Sequence, residues 1–521
     1  MKLVHLKKVR VIISLTFFLA LLLLFMDFGN VLSPSYTNYF TFLQFIPSAI
    51  KFAGLVGLSA AGFIIIMLLT LLFGRVYCST ICPLGTLQDL FSFLSRKLKK
   101  KKYYRKKKPY KALRYALLGL AILSLFTGYM IIVIWLDPYS NFGRIITLLI
   151  KPIIIFIKNS VAFILIKNRI FYLNPVEIIY PSFYLLLFPL FVFSVVAYLS
   201  LKEGRLFCNS ICPVGSFLSI LSKFSLLKID IEAKNCIGCK LCERVCKAGC
   251  IDRENKAIDF ERCVSCYNCF TVCPSEGVKY KLRYKSKKNS ALSETDYGKR
   301  KFIANTLSYL AIFSSLSYAQ RKIVSKLPSK VAIRKKFPVS PPGSLSIEHF
   351  KDKCTACHLC VSSCPSQVLQ PSYLEYGFIG MMQPMMNYEA SFCNYDCIIC
   401  SQVCPTSAIM PVKLESKKLT QLGKANFIKE NCIVYTEGTD CGACSEHCPT
   451  KAVNMVPYKN KLVIPEVSDE YCIGCGACEF ACPVKPYKAI YVDGNPVHFT
   501  AKKKELKKID VKVDYKGDFP F

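Results

Sequence analysis

The cysteines of this 521-residue chain follow a spacing that dictates what it folds around. Twenty-four of the 29 fall into six groups of four. The first block holds Cys236, Cys239, Cys242 and Cys246, then Cys263, Cys266, Cys269 and Cys273. The second opens with Cys354, Cys357, Cys360 and Cys364, in the same C-x2-C-x2-C-x3-C pattern. Cys393, Cys397, Cys400 and Cys404 follow with one extra residue in the first gap. Cys432, Cys441, Cys444 and Cys448 have a longer first gap, and Cys472, Cys475, Cys478 and Cys482 are regular again. Disulfide scaffolds are usually short, secreted and irregularly spaced, and zinc sites rarely use this triplet. An iron–sulfur cube takes three thiolates from one tight loop and a fourth from elsewhere. The spacing therefore predicts six [4Fe–4S] clusters.

In the first block, Cys236, Cys239 and Cys242 are expected to share a cluster with Cys273, and Cys263, Cys266 and Cys269 with Cys246. Pro274 follows the last cysteine as the pattern requires, whereas Lys247 stands where the first proline belongs. Two ligand exchanges are open in the second block. A nested one, first motif with fourth and second with third, is the expectation. Residues 354–358 also read C-T-A-C-H, a haem-attachment pattern. Using Cys354 and Cys357 for thioethers would strand Cys360, so His358 is read as a loop residue.

A hydrophobic fraction of 52% and a mean hydropathy of +0.33 are too high for an ordinary soluble protein. About 20 apolar residues cross a bilayer core. Val9–Phe28, Ser48–Phe73, Ala112–Leu136 and Ile178–Leu201 are long enough, and Phe302–Ala319 is a shorter fifth candidate. Ile145–Leu165 is apolar but interrupted by Lys151, Pro152 and Lys158, and is expected to lie at the membrane interface. The net charge of +35 is densest from Arg96 to Lys111, between two spans. No nucleic-acid-binding motif accompanies it, and a basic loop there fits the positive-inside rule and anionic lipid headgroups. Lys2, Lys7, Lys8 and Arg10 place the N-terminus inside by the same rule. Four spans bring the chain back to the inside, and the fifth exports the second cysteine block.

Residues 74–85 read GRVYCSTICPLG and residues 204–215 read GRLFCNSICPVG. Each copy follows a span, so the pair implies two equivalent half-units. Cys78, Cys82, Cys208 and Cys212 are candidate ligands for one more iron–sulfur centre, with a redox thiol pair or structural cysteines as the alternatives. Cys250 is left over and reads as a buried free thiol. Five histidines, of which only His5 lies near a span, exclude bis-histidine haem in the membrane. No dinucleotide or phosphate-binding glycine motif appears, and no nucleophile–base pair.

The repeated C-x3-C-P followed by Cys236 to Pro274 resembles the NapH-type membrane ferredoxins. From about Pro342 the chain is similar to the NapG/MauM ferredoxin-type proteins, through Pro342-Gly343-Ser344-Leu345, the Cys354 motif, Cys393-Asn394-Tyr395-Asp396-Cys397 and Cys404-Pro405-Thr406. Lys299-Arg300-Lys301-Phe302-Ile303 is similar to a twin-arginine export signal with lysine for the first arginine. The resemblance implies a NapH–NapG fusion in a bacterial cytoplasmic membrane. It further implies that electrons pass from menaquinol or ubiquinol toward a periplasmic reductase or small cytochrome, with quinol dehydrogenase activity an open question. The expected fold is a membrane α-helical bundle of four core helices plus a fifth anchor helix, with α+β bacterial-type ferredoxin domains. Its parts are a membrane domain (1–230), a cytoplasmic two-cluster ferredoxin (231–283), a linker with the fifth helix at about 302–319 (284–345), a periplasmic four-cluster ferredoxin (346–495) and a polar tail (496–521). Maturation of a periplasmic metalloenzyme is the alternative function.

Overall fold

The structure is a computed structural model, and it describes residues 4–26, 32–54, 61–98, 104, 110–172, 175–176, 182–252, 254–282 and 331–504. The expected fifth span, the twin-arginine-like segment and most of the basic run and tail lie outside the described residues. The chain forms two compact units. One comprises Met1–Ser329, Ser340–Asn387 and Ile398–Val412; the other comprises Lys330–Val339, Tyr388–Cys397 and Lys413–Phe521.

The first unit is built on helices. Helix α1 (Val4–Met26) is uninterrupted: it holds no proline or glycine, and from Val11 on only Ser14 and Thr16 break its apolar run. Helices α2 (Pro34–Phe42) and α3 (Phe45–Ala53) are short. Ser33 caps α2 and Pro34 sits in its first turn, where no amide donor is needed. Then come α4 (Ala61–Phe73), α5 (Tyr77–Thr80), α6 (Pro83–Leu98), α7 (Lys111–Thr127) and α8 (Ile131–Leu136). Three helices among the described residues are long and apolar enough to cross a membrane: His5–Met26, Pro138–Lys167 and Phe183–Glu203. Two of the expected spans are broken. The Ala112–Leu136 segment divides at Gly128, where α7 ends, and the Ser48–Phe73 segment is carried by α3 and α4.

Ile145–Leu165, expected at the membrane interface, is long and apolar enough to cross once its neighbours are included. The segment lies within a continuous 30-residue helix, Pro138–Lys167. Its interruptions are accommodated locally. A π-helical turn spans Ile145–Ile150, and Pro152 falls in the first turn of the α-helical segment that follows. Lys151 satisfies its ammonium on the Ser362 carbonyl and hydroxyl at 2.6 and 2.9 Å.

The first cysteine block folds as a small α+β module in the same unit. Leu227–Ile231 pairs antiparallel with Val278–Leu282, and Ile251–Asp252 with Ala257–Ile258. In the second unit, Thr420–Phe427 pairs with Ile490–Thr500 and Val453–Pro457 with Val463–Val467, all antiparallel. Two-stranded ribbons this short cannot stand alone; the cysteine loops between them complete each module.

Candidate metal centres

In the first block, Cys236, Cys239, Cys242 and Cys273 line a cavity of about 450 Å³. Cys246, Cys250, Cys263, Cys266 and Cys269 line a second of about 360 Å³. Both figures take in space continuous with solvent, and in each site the thiols of one motif stand around the same hollow. Among the described residues, no three His, Cys, Asp or Glu side chains converge on a point that would hold a single ion. A cube instead takes one thiolate at each of four irons, and the spread thiols fit that demand. The first site is open to solvent, with Cys239 exposed and Ile237 beside it 69% exposed. The second is enclosed. Cys250 Sγ lies 3.4 Å from Cys246 Sγ, a proximity its sequence position did not reveal.

The second block departs from the nested exchange. Burial raises the thiols of Cys354, Cys357 and Cys360, and the nearby Cys404 adds to the rise in each. Cys404 thus lies beside the first motif, within the same unit. In the other unit, burial and then Cys441 and Cys482 raise Cys444, while Cys448 neighbours Cys472, Cys475 and Cys478. Cys482 thus lies beside the third motif and Cys448 beside the fourth. His358, in the haem-like pattern, is buried with Nε2 2.8 Å from the Met382 carbonyl.

The two C-x3-C-P copies meet as a pseudo-symmetric pair. Cys78, Cys82, Cys208 and Cys212 are all at most 4% exposed. Arg75 Nη2 donates to the Cys208 carbonyl at 3.1 Å, and Arg205 Nη1 donates to the Cys78 carbonyl at 2.7 Å. Each arginine also approaches the first thiol of its own copy at 3.9 Å. The glycines that end the copies allow this crossing. A Cβ on Gly85 would meet the Cys78 carbonyl oxygen at 2.3 Å and Arg205 Nη1 at 2.7 Å; one on Gly215 would meet the Cys208 oxygen at 2.3 Å and Arg75 Nη2 at 2.8 Å. The Gly215 amide donates to Cys212 Sγ at 3.4 Å.

The surroundings of the quartet are cationic. Asp89 receives Arg10, Arg205 Nε at 2.9 Å and Lys247 Nζ at 3.1 Å. Burial would raise the Asp89 carboxyl, but Arg205, Lys247 and Arg10 together hold it far below the usual carboxylate range. Three cations face this one carboxylate, and Arg75, bonded to the Cys208 and Glu261 carbonyls, is a fourth beside the quartet. Arg75 Nε and Arg205 Nη2 have no hydrogen-bond partner. Buried cations in such excess are costly unless an anion offsets them, and a four-thiolate iron–sulfur group supplies that anion. Burial pushes the Cys82 and Cys212 thiols well up, so coordination is what would deprotonate them. The residues fit a further centre. Arg75 and Arg205 were legible in the repeated Gly-Arg; Asp89 and Gln88, whose amide is 3.3 Å from Cys208 Sγ, gave no signal.

Lys247, the residue in place of the motif proline, now has a physical account. Its ammonium reaches Asp89, and its carbonyl accepts from the Arg205 amide at 3.0 Å. A proline would lose the ammonium that ties the second site to the quartet. The Cys263 loop is tied down as well: Arg75 Nη1 donates to the Glu261 carbonyl at 3.0 Å, and Ser265 Oγ to the Phe73 carbonyl at 3.1 Å.

Helix α1 measures the separation of these centres. Near its start, Lys7 Nζ lies 3.5 Å from Thr271 Oγ1, between Cys269 and Cys273. Near its end, the Phe25 carbonyl accepts from Ser362 Oγ, between Cys360 and Cys364. Eighteen residues of helix separate them, about 27 Å. Ser14 meets Thr86 of the quartet's first half at 2.8 Å, about 10 Å from Lys7 and about 16 Å from Phe25 along the axis.

Family models of 4Fe–4S binding domains match residues 55–101 and 185–232, and models of 4Fe–4S dicluster domains match 235–276, 438–485 and 353–409. The first of these falls on the two C-x3-C-P copies. An uncharacterized protein of Methanocaldococcus jannaschii is 37% identical over 82 residues, which cover 16% of this chain and 32% of that protein. The ferredoxin-type protein NapH of Haemophilus influenzae is 24% identical over 230 residues, 42% of this chain and 67% of the relative. The methylamine utilization ferredoxin-type protein MauN of Methylobacillus flagellatus is 28% identical over 177 residues, 33% and 48% respectively. The chain thus spans from a third to two thirds of the length of these relatives. No solved structure matches it. Its 4Fe–4S domains, its apolar helices and its ferredoxin-type relatives agree on one role, iron–sulfur electron transport at a membrane.

Proposed function

We propose that the chain conducts electrons across the cytoplasmic membrane, from the quinol pool toward a periplasmic anaerobic reductase such as nitrate or nitrous oxide reductase. The observation that carries this is the arrangement along α1. Two cysteine-ligand sets contact opposite ends of one membrane-length helix, and the C-x3-C-P quartet lies between them. One gap of about 27 Å becomes two shorter ones.

In this reading the 24 motif cysteines hold six [4Fe–4S] clusters, Cys78, Cys82, Cys208 and Cys212 hold a further iron–sulfur centre, and the bound clusters supply one-electron storage. The chain's own side chains order and insulate them: Arg75 and Arg205 neutralise the quartet, and Lys247 registers the second site against it. The N-terminus and the first ferredoxin module face the cytoplasm, and the chain is organised as a NapH–NapG fusion. Quinol should reduce the clusters of the purified protein, and the partner reductase should reoxidise them at a rate comparable with turnover. A C-terminal reporter active only outside the cytoplasm tests the sidedness; activity confined to the cytoplasm refutes it. The MauM-type resemblance carries one second reading, in which the same electrons serve assembly of a periplasmic metalloenzyme. That reading gains if no reductase reoxidises the clusters.

A further inference from the structure

The second ligand set borders a group of polar atoms that no neighbour satisfies. Arg144 is fully buried. Its Nη2 donates to the Ile134 carbonyl and, at 2.8 Å, to Asn141 Oδ1, yet its Nε and Nη1 have no partner. Asp137 does not take them, because its carboxylate is filled by Ser140 Oγ at 2.6 Å and by the amides of Ser140 and Tyr139 at 2.9 and 3.3 Å. Trp135 Nε1 and Tyr139 Oη are also enclosed without a partner. Leaving a buried donor unmade is costly, and the unmet groups of Arg144 and Trp135, which share the Phe188 ring, point to a ligand that completes them.

The walls of this place are aromatic. The Trp135 ring lies 5.9 Å from Phe188 and 5.8 Å from Phe378, and the Arg144 guanidinium sits 5.0 Å from the centre of the Phe188 ring. Phe188 belongs to the apolar helix Phe183–Glu203, whose Leu187 and Phe191 are exposed, so the group lies one helix away from a surface that suits lipid. On its other side the helix backbone at Gly143 is pressed against the Cys357 carbonyl; a Cβ there would stand 2.2 Å from it. The π-helical turn begins directly after Arg144, and such turns frequently mark functional sites.

We propose that Arg144, Trp135 and Tyr139 form the headgroup site of a lipid-soluble quinone, entered from the bilayer beside Phe188. The two carbonyl oxygens of a quinone accept from the unmet Arg144 and Trp135 donors, and its flat ring lies against the Trp135–Phe188 wall. The site borders the loop of Cys357, so a bound headgroup is adjacent to the ligand set of Cys354, Cys357, Cys360 and Cys404. This inference rests on the quinol reading above, which it deepens by naming the place of binding: quinol oxidised here feeds the second-block ligand set directly, at the outer end of α1, and the quartet and first module join that set along the helix.

Trp135 is the only tryptophan of the chain, so intrinsic fluorescence reports on this site alone. The cluster-loaded full chain in lipid nanodiscs is titrated with a short-chain naphthoquinone. Saturable quenching is expected, with the apparent Kd raised at least tenfold in Arg144→Leu and less in Arg144→Lys. Cluster absorbance confirms that each variant is folded, and its bleaching by the corresponding quinol is followed in parallel. Absent or non-saturable quenching, or an unchanged Kd in Arg144→Leu, overturns the site. If quinol still bleaches the clusters in that case, the conduit reading stands and the quinol site lies elsewhere. Saturable, Arg144-dependent quenching without any bleaching upholds the site and refutes the conduit.

Discussion

Replacing Asp89 by asparagine tests the electrostatic frame of the quartet. Asp89 is the single carboxylate facing Arg10, Arg205 and Lys247, the last two at 2.9 and 3.1 Å. Asparagine keeps the shape but leaves three cations, all of them fully or nearly fully enclosed, without their counter-charge. Breaking one partner out of a buried ion pair costs about 3–5 kcal/mol, and here one residue serves three. The expected loss for Asp89→Asn is at least the lower end of that range. Lys247→Met alone should cost less, about 1–3 kcal/mol, because Asp89 retains two partners. The decisive result is the double variant. With Asp89 already neutral, removing the Lys247 charge relieves repulsion, so the second substitution should be harmless or restorative, a coupling on the order of 1–3 kcal/mol. Unfolding of the detergent-solubilised, cluster-loaded protein, followed by cluster absorbance, gives all four corners of the cycle. Additive losses, or an Asp89→Asn protein as stable as the parent, would refute the reasoning.

Three further outcomes are expected. Cys78→Ala and Cys208→Ala should each lower iron per chain while leaving the signals of the six motif clusters in place; unchanged iron sinks the extra centre. Cys404→Ser should perturb the same electron paramagnetic resonance species as Cys354→Ser, and Cys482→Ser the same one as Cys432→Ser, whereas a match of Cys482→Ser with Cys354→Ser would restore the nested exchange. Because the folded Asp89 carboxyl titrates far below its ordinary value, its stabilisation is complete above the unfolded carboxylate range near pH 4 and is lost progressively below it. The acid limb of the stability profile should therefore be blunted in Asp89→Asn, which a profile identical to the parent's would contradict.

Much of this molecule is local and was legible in the chain. Cluster loops are set by spacings of two or three residues, so the six groups, and the division of the first block into two sites, need only the sequence. The repeat at 74–85 and 204–215 likewise announces a paired structure. The sequence is silent where the deciding neighbour is distant. Lys151 and Pro152 pointed to a segment at the interface; in the fold Ser362, more than 200 residues away, takes the lysine, and Pro152 sits in the first turn after the π-helical turn of a continuous helix. Lys247 looked like an erosion of the motif until Asp89 stood opposite it. Which fourth cysteine closes each site in the second block depends on which loops the short ribbons bring together, and a spacing pattern holds no record of that. Sequence alone determined the chemistry, since thiol number and interval follow from the demands of the cube. Tertiary structure decided the partners, because burial, charge compensation and hydrogen bonds across the fold are properties of residues that meet only once the chain has closed.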